Sequence, residues 1–119
     1  MANPKLHKSY VAEAVIAVYT IVKFGATDGS VVTAAAATDK LIGTAGNVAP
    51  TTGERVDVAR SGIDQVVLGG TVARGDALTS NASGAAIATT TAGNRIIGFA
   101  EVSGVSGDVI DYVIAPGVY

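Results

Sequence analysis

Short apolar runs separated by glycine-containing turns dominate the second half of this sequence. Within Val66–Ile87, turn residues at Gly70, at Gly75 and Asp76, and in the Ser80–Gly84 cluster divide such runs at the spacing of β-hairpins. Glycine reaches the positive φ angles that tight turns require, and Asp and Asn stabilise these turns locally. We therefore predict structural turns at Gly70, Gly75 and Asp76, joined by short strands.

The rest of the chain repeats this pattern and predicts an all-β fold. Strands and turns recur at roughly the 8–12-residue spacing that is typical of sandwiches and barrels. We expect a small sandwich or barrel of short antiparallel strands, which forms a single domain over residues 11–119. Residues 1–10 are largely polar and follow neither the strand nor the helix period. They are predicted to form an extended N-terminal arm.

Several boundaries follow from local composition. Because β-branched residues dominate from about Val15 onwards, the first strand is predicted to begin there. A later strand over Arg55–Ser61 is expected to end in a turn at residues 62–64. A strand over Arg95–Ala100 contains Gly98, a structural glycine that marks a bulge or a close approach of another backbone segment.

The sequence also contains an internal similarity. GSVVTAAAATDKLIG, residues 29–43, aligns without gaps on GAAIATTTAGNRIIG, residues 84–98, at an offset of 55 residues (84 − 29). The match continues to Val58 at an offset of 54 (112 − 58), and Val22–Gly25 resembles Val72–Gly75. Two pseudo-repeated halves are the natural inference, and chance matching of Gly-, Ala- and Val-rich sequence is the alternative.

The composition excludes several classes of protein. Hydrophobic residues make up 49% of the 119 residues, but only 5% are aromatic, so a thin core would gain from the surface of a partner. The net charge of −2 and the scattered basic residues argue against nucleic-acid binding. No apolar run reaches the length of a membrane-spanning helix. Because cysteine is absent, neither a disulfide framework nor a thiolate metal site is possible.

Catalytic patterns are equally scarce, and we predict that the protein is not an enzyme. Phosphate-binding glycine motifs are absent, and His7 is the only histidine, which argues against a catalytic triad and a metal cluster. Asp57 and Asp111 occupy equivalent places in the internal similarity and suggest a paired-carboxylate site. The simpler interpretation is that Asp57 faces solvent between two inward-facing valines. We expect no cofactor, no metal and no small-molecule substrate.

The order of motifs in the second half resembles a known family. A Gly-Gly pair and a short apolar run precede Arg74–Ser80, and the Gly-bounded strand Arg95–Ala100 and a closing segment, Gly107–Val113, follow. In this order and spacing they resemble the small capsid decoration, or cement, proteins of tailed bacteriophages. The similarity covers roughly Ala12–Gly117.

This resemblance implies a function and a partner. Proteins of this kind bind the outer surface of the phage head after it expands, usually as homotrimers, and stabilise the shell. The partner implied is the major capsid protein, together with further copies of the chain. The location implied is the exterior of the virion capsid, with the host cytoplasm occupied during assembly.

The arm is the expected place of capsid contact. We predict that it becomes ordered on the shell and binds there through six residues: Pro4, Lys5, Leu6, His7, Lys8 and Tyr10. A disordered terminus without a role is the alternative.

The competing functions are a bacterial surface or carbohydrate-binding β module and a small hydrolase. Exposed aromatic clusters would favour the former, but the chain has only four Tyr and two Phe.

Overall fold

The computed structural model describes residues 5–46 and 49–119. Within these ranges the chain forms strands, turns and loops but no helix, which confirms the predicted all-β fold. The strands are β1 (Lys5–Ala12), β2 (Ile21–Phe24), β3 (Ser30–Thr33), β4 (Leu41–Thr44), β5 (Arg55–Val67), β6 (Ala77–Ser80), β7 (Ala86–Ala88), β8 (Arg95–Ala100) and β9 (Val109–Val118).

The strands form one curled mixed sheet. Its order is β4-β2-β3-β1-β5-β9-β8-β6-β7, and the curled sheet makes a half-barrel. Every pairing between named strands is antiparallel except the one between β1 and β3. The long strand β5 holds the sheet together, because its first part pairs with β1 and its last part, Ile63–Val67, pairs with β9.

The prediction of a separate arm over residues 1–10 is wrong for residues 5–10. They belong to β1, which pairs with β5 from Lys5↔Gly62 to Val11↔Arg55. Tyr10 and Ala12 are buried, whereas residues 6–9 are exposed. A strand that is held by main-chain pairing and buries only its last side chains shows no apolar alternation, so the sequence pattern misses it. Pro4 and the residues before it lie outside the described residues.

Two other boundaries differ from prediction. Residues 13–20 form a loop, and the strand expected from Val15 begins only at Ile21. The loop is held by main-chain hydrogen bonds from Ile16 N to Pro50 O (3.1 Å) and from Tyr19 N to Gly46 O (2.7 Å). The predicted turn at residues 62–64 is absent, because β5 continues through Gly62 at a φ of +98°.

The structure contains two similar halves, here called the first half (residues 5–61) and the second half (residues 62–119). In the first half β2 pairs with β3 and β4, and in the second half β6 pairs with β7 and β8 in the same way. The parallel contact Ala12↔Val31 recurs as Leu68↔Ala86. The expected internal repeat is therefore present in the topology.

Each half has its own apolar core, and the two cores correspond residue by residue. The difference in residue number between equivalent core residues falls from 56 to 55 to 54 along the chain (66 − 10, 86 − 31, 110 − 56). The first core consists of Tyr10, Ala12, Ile16, Val22, Val31, Ile42, Ala45, Val56 and Val58. In the same order, the second contains Val66, Leu68, Val72, Leu78, Ala86, Ile97, Ala100, Ile110 and Tyr112.

These offsets correct one alignment made from the sequence. Val22–Gly25 does not correspond to Val72–Gly75, because β2 is the counterpart of β6, Ala77–Ser80. The counterpart of Gly75 is Tyr19, which has a φ of +58° where Gly75 has +91°. The turn conformation is repeated in the two halves although the glycine is not. The sequence alignment, which matched Gly25 with Gly75, therefore paired the wrong residues in this segment.

Gly98 lies inside strand β8 and not in a turn. The register between β8 and β9 shifts at this point, and a Cβ atom on Gly98 would overlap the carbonyl oxygen of Val113. In the first half Gly43 takes the equivalent place, where a Cβ atom would lie 2.7 Å from the carbonyl oxygen of Ala59. A close crossing of two backbone segments therefore recurs in each half.

Candidate interaction surface

A shallow pocket opens on the first half, beside β1. Its volume is 480 Å³, and it is lined by Leu6, His7, Lys8 and Tyr10 of β1, Phe24 at the end of β2, and Arg60 of β5. We call it the β1 pocket. Its position follows from the sheet order, because β1 lies between β3 and β5 and pairs with β3 only at Val11 and Ala12.

The floor of the β1 pocket is the side chain of Tyr10, which is 3% exposed. The ring of Phe24 meets it edge to face, with ring centroids 6.5 Å apart and an interplanar angle of 69°. Arg60 donates a hydrogen bond from Nη1 to the Tyr10 hydroxyl at 2.8 Å. Lys8 Nζ lies 5.4 Å from the centroid of the same ring, within the range of a cation–π contact. Two cations thus lie around one phenol ring.

The rim of the pocket combines exposed apolar surface with positive charge. Leu6 is 64% exposed and Phe24 is 48% exposed. His7, Lys8 and Arg60 line the pocket, and none of its lining residues carries a carboxylate. An aromatic or aliphatic side chain would bury apolar area here, and its ring face or a nearby carboxylate would meet the cations. These groups suit the recognition of a protein side chain.

The structure brings together four of the six residues predicted to bind a capsid, namely Leu6, His7, Lys8 and Tyr10. Lys5 is part of β1. Pro4 lies outside the described residues. Sequence reasoning missed Phe24 and Arg60. Arg60 reaches Tyr10 from a position fifty residues along the chain, and no local motif signals such a contact.

The carboxylates that suggested a paired site are far apart. Asp57 is exposed and pairs with Ser9, whereas Asp111 is half-buried and pairs with Gln65. Asp57 and Gln65 are eight residues apart on β5, which corresponds to roughly 26 Å along an extended strand. No cluster of three or more His, Cys, Asp or Glu that would suit a metal ion occurs among the described residues.

A buried polar group lies between the two halves. The hydroxyl of Thr44 donates to Asp64 Oδ2 at 3.2 Å and lies 3.2 Å from the Tyr112 hydroxyl. All three side chains are buried, and burial, together with the nearby Asp64 charge, raises the pKa of Tyr112 above its ordinary value. Because all three side chains are buried where the two halves meet, the group joins the halves.

The turn residues singled out in the sequence act as structural supports. Gly75 has a φ of +91°, and the Asp76 carboxylate accepts a hydrogen bond from Ala73 N at 2.9 Å. Gly70 lies in a bend between β5 and β6. These contacts hold the loop that precedes β6, on the half that does not carry the β1 pocket.

Comparison with solved structures places this fold beside a protein of a phage head. The chain is similar to the crystal structure of the head fiber gp8.5 N base in bacteriophage phi29, with a TM-score of 0.68. The similarity covers 94% of this chain and 95% of that chain at 19% sequence identity, so it shows a shared fold over nearly the whole length of both.

Sequence comparisons give no closer relationship. No family model matches the chain, and no curated protein matches it. Within residues 5–46 and 49–119, no helix is long and apolar enough to cross a membrane.

Proposed function

We propose that this protein is a structural component of a phage head, which binds the outer surface of the expanded shell and stabilises it. The observation that carries the proposal is a fold shared with a head fiber base over 94% of the chain. The resemblance of the Arg74–Val113 motifs to capsid decoration proteins supports the same location. The partner is the major capsid protein, and the protein acts as a homotrimer.

Binding to the shell would stabilise it by mass action. A ligand that binds only the assembled lattice shifts the equilibrium towards that lattice. Several weak contacts on one oligomer add up to firm attachment, because the second and third contacts form at high effective concentration. We place the contact at the start of β1, over residues 5–10. The surface that makes this contact is the edge of a strand on which His7 and Lys8 are exposed, and not a flexible arm.

The fold comparison favours a second candidate, the base of a head fiber. Such a protein would attach a fiber to the head and would not need to reinforce the shell. The two candidates predict the same binding site but different consequences of binding. A decorated head that withstands heat better than a bare head indicates stabilisation, and one that fails at the same temperature indicates a fiber base.

The direct test is co-sedimentation of the purified chain with expanded heads that lack it. We expect saturable binding to expanded heads, weaker binding to unexpanded heads, and release of DNA at a higher temperature once the heads are decorated. His7→Glu should weaken binding several-fold at low salt, because it places a negative charge in a basic rim. Ser106→Glu, an exposed change in the second half, serves as the control. The proposal would be refuted if the chain bound neither expanded nor unexpanded heads.

A further inference from the structure

The side of β1 that faces away from β5 is an open strand edge. On this side β1 pairs with β3 only at Val11 and Ala12, and among the described residues no strand pairs there with residues 6–9. All four of these residues are exposed. An open edge of this kind presents main-chain donors and acceptors that a further strand can bind. We call residues 6–9 on this side the β1 edge.

The hydrogen bonds at the end of β1 show which main-chain groups are open. Ala12 N donates at 2.9 Å to the residue before β5, whereas Val11 N donates to Gly29 O at 2.8 Å, on the opposite side. Successive residues of a paired strand direct their main-chain groups to alternate sides. The register between β1 and β5 is unbroken from Val11 back to His7. The amides of His7 and Ser9 therefore point away from β5, as that of Val11 does.

The β1 pocket opens beside this edge. Lys8 and Tyr10 are two residues apart, so their side chains share one face of β1, and this face lines the pocket together with Phe24. Because β3 begins at Ser30, opposite Val11, it does not separate Phe24 from Tyr10. A strand added to the β1 edge would direct every second side chain towards this pocket.

The pocket face of β1 carries cations without a carboxylate. Lys8 Nζ lies 5.4 Å from the centroid of the Tyr10 ring, and Arg60 donates to the Tyr10 hydroxyl. None of the residues that line the pocket is acidic. Asp57 pairs with Ser9 and so faces the opposite side of the sheet from Tyr10. A carboxylate of a partner would therefore meet two cations on the pocket face.

We propose that the β1 edge binds an extended segment of the capsid protein, which carries a large apolar side chain and a carboxylate two residues away from it. The main chain of this segment would pair with the β1 edge, and its apolar side chain would enter the pocket against Phe24 and Tyr10. Side chains two residues apart on a strand lie roughly 7 Å apart on one face, so the carboxylate would reach Lys8 or Arg60.

A second copy of the same edge is a poor occupant. Two β1 edges would bring Lys8 of one copy towards Lys8 of the other, and like charges on neighbouring strands are unfavourable. Lysine on an open edge is also a common means of preventing a strand from pairing with copies of itself. An acidic segment does not meet this barrier, so the charge of the edge favours the capsid protein over a second copy.

This inference rests on the proposed function and adds the way in which the capsid protein is recognised. A chain that does not bind heads would refute both. A chain that binds heads without an added strand at the β1 edge would refute this inference alone.

A proline at position 9 tests the main-chain pairing. Because the Ser9 amide points away from β5, Ser9→Pro removes no hydrogen bond to β5, and proline is tolerated on an open edge. It removes one donor from the β1 edge, and its ring hinders an added strand. We expect co-sedimentation with expanded heads to weaken about tenfold or more. Ser9→Ala, the matched control, retains the amide and should bind like the wild type. Equal binding of the two variants would overturn the proposal.

Hydrogen exchange tests the same pairing without a substitution. In the free chain, the amides of His7 and Ser9 should exchange faster than those of Lys8 and Tyr10, which are directed towards β5. On decorated heads, exchange at His7 and Ser9 should slow about tenfold or more, because an added strand protects them. Unchanged exchange at both amides on decorated heads would overturn the proposal, whether or not Ser9→Pro folds.

Zero-length cross-linking tests the charge of the partner. A carbodiimide joins an amine to a carboxylate in contact with it, so Lys8 should become linked to an aspartate or glutamate of the capsid protein on decorated heads. Lys23 and Asp39, whose charged atoms lie 3.3 Å apart, should become linked in both free and bound protein and serve as the internal control. A link between Lys23 and Asp39 without one from Lys8 to the capsid protein would overturn the proposal.

Discussion

At the scale of single residues, two kinds of glycine support this fold for different reasons. Gly75 is exposed and has open space around it, and only its φ of +91° favours glycine. Gly98 is buried, and the carbonyl group of Val113 leaves no space there for a side chain. The same substitution should therefore have different costs at the two positions.

We expect Gly75→Ala to lower the free energy of unfolding by about 1 kcal/mol, because an L-residue with a Cβ atom is strained at this φ. Gly117→Ala is the matched control, since it also has open space but no positive φ. Urea denaturation of both variants measures the difference. Equal stability of the two would show that backbone conformation at Gly75 does not matter.

Gly98→Ala should cost more, about 3 kcal/mol or above, because the added methyl group forces β8 and β9 apart. Gly43→Ala should be less damaging, since its closest contact, Ala59 O at 2.7 Å, leaves more space. Gly98→Val should be worse than Gly98→Ala. Thermal melting of the three variants tests this order, and a Gly98→Ala protein that melts like the wild type would contradict the close crossing.

At the scale of elements, β1 is a structural strand. Residues 5–9 supply five of the seven paired positions between β1 and β5. Deletion of residues 2–9 removes the hydrogen bonds at those positions and uncovers the edge of β5. Because each net hydrogen bond contributes about 1 kcal/mol, the deletion should lower stability by at least about 2 kcal/mol. A truncated protein with unchanged unfolding would show that β1 is dispensable, as a detached arm would be.

A carboxylate holds the hairpin between β2 and β3. Glu13 accepts hydrogen bonds from Ser30 Oγ at 2.7 Å and from Ala26 N at 3.0 Å, and these bonds lower its pKa below the ordinary value of 4.5. A lowered pKa in the folded state means that the stabilisation is present above pH 4.5 and is lost as the pH falls through the folded-state pKa.

Glu13→Gln should therefore flatten the acid limb of the stability profile. Unfolding measured from pH 7 down to pH 3 should show a smaller loss of stability in the variant than in the wild type. The control is Asp28→Asn, which changes an exposed carboxylate in the same hairpin. Identical acid limbs in Glu13→Gln and the wild type would show that the Glu13 contacts do not contribute.

Sequence patterns predict some of these elements well and others not at all. The similarity between residues 29–43 and 84–98 locates two equivalent pairs of strands, because their side chains pack into equivalent cores. Such patterns do not predict β1, because β1 pairs with β5 through main-chain groups. For the same reason, four of the six residues that line the β1 pocket were predicted and two were missed. Its residues on β1 are contiguous in sequence, whereas Phe24 and Arg60 reach it only through strand pairing.

At the scale of the whole molecule, the chain consists of two similar halves whose cores are built differently. Ile21, Ala34 and Leu41 of the first half belong to the core cluster of the second half, whereas the core cluster of the first half contains only its own residues among those that the structure describes. The scarcity of large core side chains fits an assembly of several copies, because neighbouring copies would complete the apolar surface.

The central claim is that this assembly lies on the exterior of a phage head, and imaging tests it most directly. Expanded heads that lack the protein should be incubated with an excess of the purified chain and imaged by electron cryomicroscopy. The account predicts ordered density on the outside of the shell at repeated sites, with three copies around each site and the start of β1 facing the capsid protein. Bare shells at saturating protein concentration, or density confined to the inside, would contradict it.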